Sequence, residues 1–266
     1  MSASRSKKSL LERLRDGPVV CAEGYLFEFE RRGYLQAGAY VPEVVLEHPE
    51  LVAQLHREFV RAGSDVVEAF TYYAHREKLR LIGREEDLER INRQALKIAK
   101  EVAAEHDSLF AGNICNTNIY DPTDPSSHEV ARAMFAEQVG WAVDADVDFI
   151  IGETFSFAAE ALIALDVIKR ANKPAVITLA MHRADVTREQ WKVADACKRI
   201  EPVQQRELRL LLFAEHSGPR PRERERVLRV DSKLHAAVLG TQVVCSMAPL
   251  SAAAVGDRPT HHDKLR

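Results

Sequence analysis

The sequence predicts an α/β fold built on a parallel sheet. Two observations carry this: between about residues 18 and 200 short apolar runs alternate with longer stretches of helical period, and each run is rich in β-branched or aromatic residues. Five such βα units can be counted, with strands expected over 18–22, 65–70, 108–112, 148–152 and 175–179.

Taken in order, the first strand reads PVVCA, and Leu51, Leu55, Phe59 and Val60 recur at helical spacing before the second, DVVEAF. Leu88, Ile91, Leu96 and Ile98 give the next helix its buried stripe; these are core positions, not ligand contacts. After the third strand, SLFAG, Ser126 with Glu129 predicts a capping box and a helix start near residue 127. DFIIG and AVITL are the fourth and fifth strands, and Thr187 with Gln190 predicts another helix start near 188.

After Ile200 the alternation stops. Residues 219–229, PRPRERERVLR, form a charge run that a packed strand is not expected to accommodate; it reads as a solvated helix face or loop, or as a binding patch. The run from Ala236 to Val255 is apolar without a clear period. A boundary near residue 200 is expected, separating residues 1–200 from a divergent tail over 201–266.

The bulk composition sets the class of partner. A chain of 266 residues that is 46% hydrophobic and 29% charged has material for one large core or two small ones. Its net charge of -3 provides no basic field for nucleic acid, so a small-molecule partner is expected. No stretch approaches the roughly 18 apolar residues needed to cross a bilayer, so no membrane partner is expected. The opening MSASRSKKSL is basic and serine-rich like a transit peptide, but Glu12 and Asp16 interrupt it and no apolar segment follows. Cys21, Cys115, Cys197 and Cys245 are far apart and form no C-x-x-C pair, which argues against a disulfide framework or zinc ribbon and fits a cytoplasmic location.

In a barrel of parallel strands, functional groups sit at the C-terminal strand ends and in the loops that follow. Those positions hold Glu23, the pair Tyr72 and Tyr73, Asn113 and Asn116, and Glu153. Glu153 follows the apolar run Phe149 to Gly152, where a bare charge is costly and a cationic partner is needed. A substrate ammonium or a scaffold arginine or lysine would serve equally. Glu23 reads either as a ligand contact or as an exposed loop acid. Tyr72 and Tyr73, with Tyr25 and Tyr40 elsewhere on the rim, either wall a pocket that attracts a quaternary ammonium or simply pack. Asn113 and Asn116 are expected to flank a turn and either hold a polar substrate or stabilise the turn. No H-E-x-x-H, G-x-x-x-x-G-K-[ST], G-x-G-x-x-G or G-x-S-x-G motif occurs, which removes the commonest zinc-protease, nucleotide-binding and hydrolase explanations.

The stretch EGYLFEFERRGYLQAGAYVPEVVLEHPELVAQLHREFVRAGSDVVEAFTYY, residues 23–73, resembles the opening of the homocysteine S-methyltransferase family, nearest its betaine-dependent branch. The resemblance continues through AGNI at 111–114, FIIGETF at 149–155 and KPAV at 173–176, and fades after ADACKR at 194–199. It implies a (β/α)8 barrel of the TIM type, incomplete here, with about five recognisable βα units and an irregular C-terminal tail. It also implies a zinc-dependent S-methyltransferase that moves a methyl group from a methylated amine or sulfonium donor, betaine-type by preference, to homocysteine, giving methionine. In that scheme Glu153, Tyr72, Tyr73 and Tyr40 fall on substrate-binding positions, and zinc holds the homocysteine thiol as a thiolate.

Two departures from the family pattern are visible. Ala22-Glu23-Gly24 stands where the family has Asp-Gly-Gly, which makes Glu23 a shifted substitute. The family draws its zinc thiolates from a cysteine ending strand six and a Cys-Cys pair ending strand eight, whereas here only Cys245 follows the point of divergence. One thiolate does not make a three-ligand catalytic site. The resemblance therefore leaves two functions open: a methyltransferase impaired by lost zinc ligands, or a non-catalytic protein that self-associates or binds a partner through an incomplete barrel. A metal-free barrel enzyme using Glu153 with Glu23 as an acid-base pair is a third.

Overall fold

The computed structural model describes residues 7–35, 41–180 and 186–200, together with the backbone of four strands beyond residue 210. Its first half follows the βα alternation closely. Helix α1 (Leu10–Asp16) is closed at its start by a capping box between Ser9 and Glu12, and Leu10 and Leu14 anchor it under the sheet. Strand β1 (Val19–Glu23) leads through Gly24 into α2 (Tyr25–Arg31). Gly24 sits at φ +87°, a left-handed conformation that glycine adopts without a Cβ penalty, and so allows the abrupt strand-to-helix turn. The short α3 (Val44–Glu47) and α4 (Pro49–Ala62) return the chain to β2 (Val66–Glu68).

Helix α5 (Arg76–Leu81), a 3-10 turn at Glu85–Asp87 and α6 (Leu88–His106) precede β3 (Leu109–Cys115). Then come α7 (Pro125–Asp144), β4 (Phe149–Phe155), α8 (Ala158–Arg170), β5 (Ala175–Ala180) and α9 (Val193–Ile200). Strands β1 to β5 are parallel neighbours in that order and form a curled half-barrel. All seven residues of β3 are buried, as expected of a parallel strand covered on both faces. On one face Val67, Phe110 and Ile150 pack against α6, α7 and α8; on the other Cys21, Leu109, Phe149 and Ile151 form a separate cluster.

Helix boundaries differ from the capping signals in two places. Helix α7 starts at Pro125 because Asp124 accepts a hydrogen bond from the Ser126 amide and the proline ring presets the first turn, so Ser126 lies inside the helix. Near residue 188 there is no helix start. A bridge between Val186 and Lys192 closes a loop in which Gln190 takes φ +68°, and α9 begins only at Val193.

Beyond residue 210 the backbone forms β6 (Leu211–Glu215), β7 (Arg226–Asp231), β8 (Leu234–Leu239) and β9 (Gln242–Ser246). Strand β6 pairs in parallel with β1, while β9 runs antiparallel beside β5 and continues through β8 to β7. Both outer strands of the half-barrel are thus paired. Strand β7 takes in Arg226 to Arg229 of the charge run; it is the last strand of the sheet, and charged residues are tolerated on an edge. Cys197 is disulfide-bonded, which the cysteine spacing does not predict, whereas Cys21 and Cys115 are free and buried. No helix among the described residues is long and apolar enough to cross a membrane.

Candidate active site

Three strands end on a shared polar cluster. Glu68 is the last residue of β2, Asn113 lies in β3 and Glu153 in β4, and parallel register sets Asn113 beside Ile151 and Cys115 beside Glu153. The Asn113 side-chain nitrogen donates to Glu68 Oε1 and to Glu153 Oε2, each at 2.6 Å. Both amide protons are therefore used on carboxylates, and Asn113 Oδ1 is left buried without a hydrogen-bond partner. Asn113 belongs to a strand and stabilises no turn. Glu68 is 3% exposed, and its second oxygen accepts from the Cys21 thiol at 3.7 Å.

The electrostatics follow from dryness and like charge. Burial, reinforced by Glu153, pushes the Glu68 carboxyl well above the usual range, against the hydrogen bonds from Asn113 and Cys21. Burial also raises the Tyr25 and Tyr72 hydroxyls, with Glu153 adding to both. The Cys115 thiol is pushed far up by burial and, secondarily, by Glu153 and Glu160, while an amide bond from Tyr73 opposes the shift; it is held as a neutral thiol.

A second feature is the aromatic wall. Tyr72 and Tyr73 place their ring centroids 4.3 Å apart, and the Tyr72 hydroxyl lies 2.8 Å from Thr154 Oγ1. Since Thr154 already donates to its neighbour's carbonyl, Glu153 O, the tyrosine is the donor. Thr154 sits at φ +57°, which is strained for a β-branched residue. It is held there by bonds from its amide to Thr178 Oγ1 and from the Asn116 side chain to its carbonyl. Tyr73, at φ +59°, carries the Lys78 ammonium 4.0 Å from its ring centroid, so one face already holds a cation.

The sequence profile of the homocysteine S-methyltransferase family matches residues 24–214. This chain belongs to the homocysteine S-methyltransferase family. It is 40% identical over 186 residues to betaine-homocysteine S-methyltransferase 1 of Xenopus tropicalis, covering 68% of this chain and 46% of that protein. It is 38% identical over 177 residues to an S-methylmethionine-homocysteine S-methyltransferase of Pongo abelii, covering 66% and 47%. The chain thus spans about half the length of these relatives. Among solved structures, a metallated homocysteine methyltransferase of Escherichia coli shares the fold, with a TM-score of 0.62, 19% identity and coverage of 73% and 74%.

The residues expected at the methyltransferase rim are distributed as follows. Glu153, Asn113, Tyr72 and Tyr73 come together at the ends of β2 to β4. Glu23 closes β1 and stands in register with Glu215 of β6; its side chain, like that of Cys245 in β9, lies outside the described residues, as does Tyr40. Tyr25 packs inward, with its hydroxyl reaching the backbone of Glu68 at the end of β2. It is buried on α2, edge-on to Phe59 and stacked on Phe70, with its hydroxyl 3.0 Å from His56 Nδ1.

Glu68 and Thr154 escaped the sequence reading. The available signal was a lone glutamate inside the otherwise apolar run Val66 to Phe70. As for zinc, no group of three or more histidine, cysteine or acidic side chains gathers among the described residues, and Cys115 is a neutral thiol in a dry site. The described side chains do not by themselves fit the metal.

Proposed function

We propose that this chain binds homocysteine at the carboxyl ends of β2 to β4, with Glu153 receiving the substrate ammonium. A protein containing the chain transfers a methyl group to the homocysteine sulfur from a quaternary-ammonium donor of the betaine type. The observation that carries the reading is the placement of Glu153, an acid on a parallel strand end, held by Asn113 beside the Tyr72–Tyr73 wall. Tyr72 and Tyr73 supply an electron-rich surface for the donor's positive nitrogen. Glu23 and Tyr40, by resemblance, and Asn113, by its strand position, complete the proposed substrate-binding set.

A second reading is favoured by the thiolate shortage among the described residues: a protein that binds homocysteine or a partner without turning it over. Metal content of the purified protein separates the two, since near-stoichiometric zinc supports turnover. Homocysteine binding is tested by calorimetric titration of Glu153→Ala. The expected result is a loss of at least tenfold in affinity with unchanged circular dichroism; unchanged affinity in a folded variant overturns the assignment.

A further inference from the structure

Helix α9 and the loop before it line a cavity of about 520 Å³, within the size range of small-molecule sites, and the lining is chiefly charged: Lys192, Asp195, Lys198 and Arg199, with Gln190 and Trp191. Helical spacing would let Asp195 pair with Lys192 or Lys198, three residues away on either side, or with Arg199 four residues on. It pairs with none of them. Among the described residues no acid is bonded to any of the three cations, and the Arg199 guanidinium lies instead 4.0 Å from the centroid of the Trp191 ring. The indole thereby fixes the plane of the guanidinium fork. The loop itself is pinned. The Trp191 amide donates to Thr187 Oγ1 at 3.2 Å, the Arg188 amide to the Ser156 carbonyl at 2.8 Å, and the Ala159 amide to Glu189 Oε1 at 3.0 Å.

Three cations on a solvated face need no partner, but three around one concavity, against a single acid, leave an excess positive charge that concentrates small anions there. We propose that this cavity binds a small phosphate monoester that also carries a hydrogen-bond donor such as an amino or hydroxyl group. Arg199 takes two phosphate oxygens with its preset fork, and Lys192 and Lys198 supply compact charges beside it. A phosphate monoester is close to a dianion at neutral pH, so it answers three cations better than one carboxylate does. Asp195 accepts from the ligand's amino or hydroxyl group, which distinguishes the ligand from bare phosphate. The site shares no residue with the cluster of Glu68, Asn113 and Glu153, and the proposal is independent of the homocysteine reading.

Calorimetric titration of the full chain with O-phosphoethanolamine, inorganic phosphate, succinate and ethanolamine tests it. The expected result is saturable binding of phosphoethanolamine, weaker binding of inorganic phosphate and succinate, and none of ethanolamine. Arg199→Gln is expected to weaken phosphoethanolamine about tenfold. Asp195→Asn is expected to weaken it severalfold without weakening inorganic phosphate. Asp195 and Arg199 are exposed, and circular dichroism checks that each variant folds; if Arg199→Gln does not, Lys198→Gln takes its place with the same expectation. Glu153→Ala controls for capture of the probe's ammonium at the strand ends and is expected to leave phosphoethanolamine binding unchanged. The proposal is overturned by no saturable binding of phosphoethanolamine at millimolar concentration, or by succinate binding more tightly. Wild-type affinity in folded Arg199→Gln or Asp195→Asn, or a loss in Glu153→Ala, overturns it equally.

Discussion

Tyr72 and Thr154 are joined across the rim by a 2.8 Å hydrogen bond between their hydroxyls, tying the loop after β2 to a left-handed residue of β4. The bond orients the tyrosine ring and satisfies a strained threonine at once. Tyr72→Phe keeps the ring and removes only the donor, so it is expected to cost about 1 kcal/mol of stability. Tyr72→Ala removes the wall as well and is expected to weaken glycine betaine binding more than homocysteine binding. Equal losses for the two ligands in parallel titrations would identify the ring as packing alone.

Lys78 above Tyr73 competes for the same aromatic face that a quaternary ammonium would use. Lys78→Met is therefore expected to strengthen glycine betaine binding severalfold, and Tyr73→Ala to weaken it. A Lys78→Met protein with unaltered betaine affinity would place the donor away from Tyr73.

Gly152 is a packing glycine. A Cβ built there meets Ile177 Cδ1 at 2.7 Å and Phe155 Cε2 at 2.9 Å, both in the buried interior. Gly152→Ala is expected to destabilise the chain by roughly 1–3 kcal/mol and to lower the urea midpoint. A midpoint at or above the wild-type value would mean that β5 relaxes freely.

His56 and His75 are buried and held neutral, with pKa values lowered chiefly by burial to about 3 and about 4 from 6.5. Below pH 6.5 the unfolded chain takes up protons that the folded chain refuses, so stability falls as pH drops from about 6.5 toward about 4. For His56 alone the loss is on the order of a few kcal/mol. Urea unfolding between neutral and mildly acid pH checks this, with His56→Gln expected to flatten the slope. Glu68 acts in the opposite sense. Its carboxyl is raised above 4.5, so its contribution is present at acid pH and is lost as pH rises, and Glu68→Gln is expected to stabilise the chain more at high pH than at acid pH.

Much of the framework was legible because it depends on local pattern. The five apolar runs became β1 to β5 in order, since a parallel strand buried on both faces needs a continuous apolar stretch whatever its neighbours are. Glu153 was legible for the converse reason: an acid next to such a run demands an account. Helix starts were less so, because Asp124 with Pro125 outcompetes Ser126, and the loop closed by Val186 and Lys192 overrides the Thr187 signal.

The sequence by itself determined the alternation of strands and helices, the apolar stripe of each helix and the acid and aromatics at the strand ends, because these follow from periodicity and from the cost of burying charge. Only the tertiary structure decided that Glu68 joins Glu153 through one amide nitrogen, that Lys78 covers Tyr73 and that Thr154 turns left-handed to meet Tyr72. Lys78 is close to Tyr73 in sequence and meets it through the loop after β2, whereas the other two links join residues dozens of positions apart. Such contacts are set by the register between parallel strands, and register is a property of the assembled sheet.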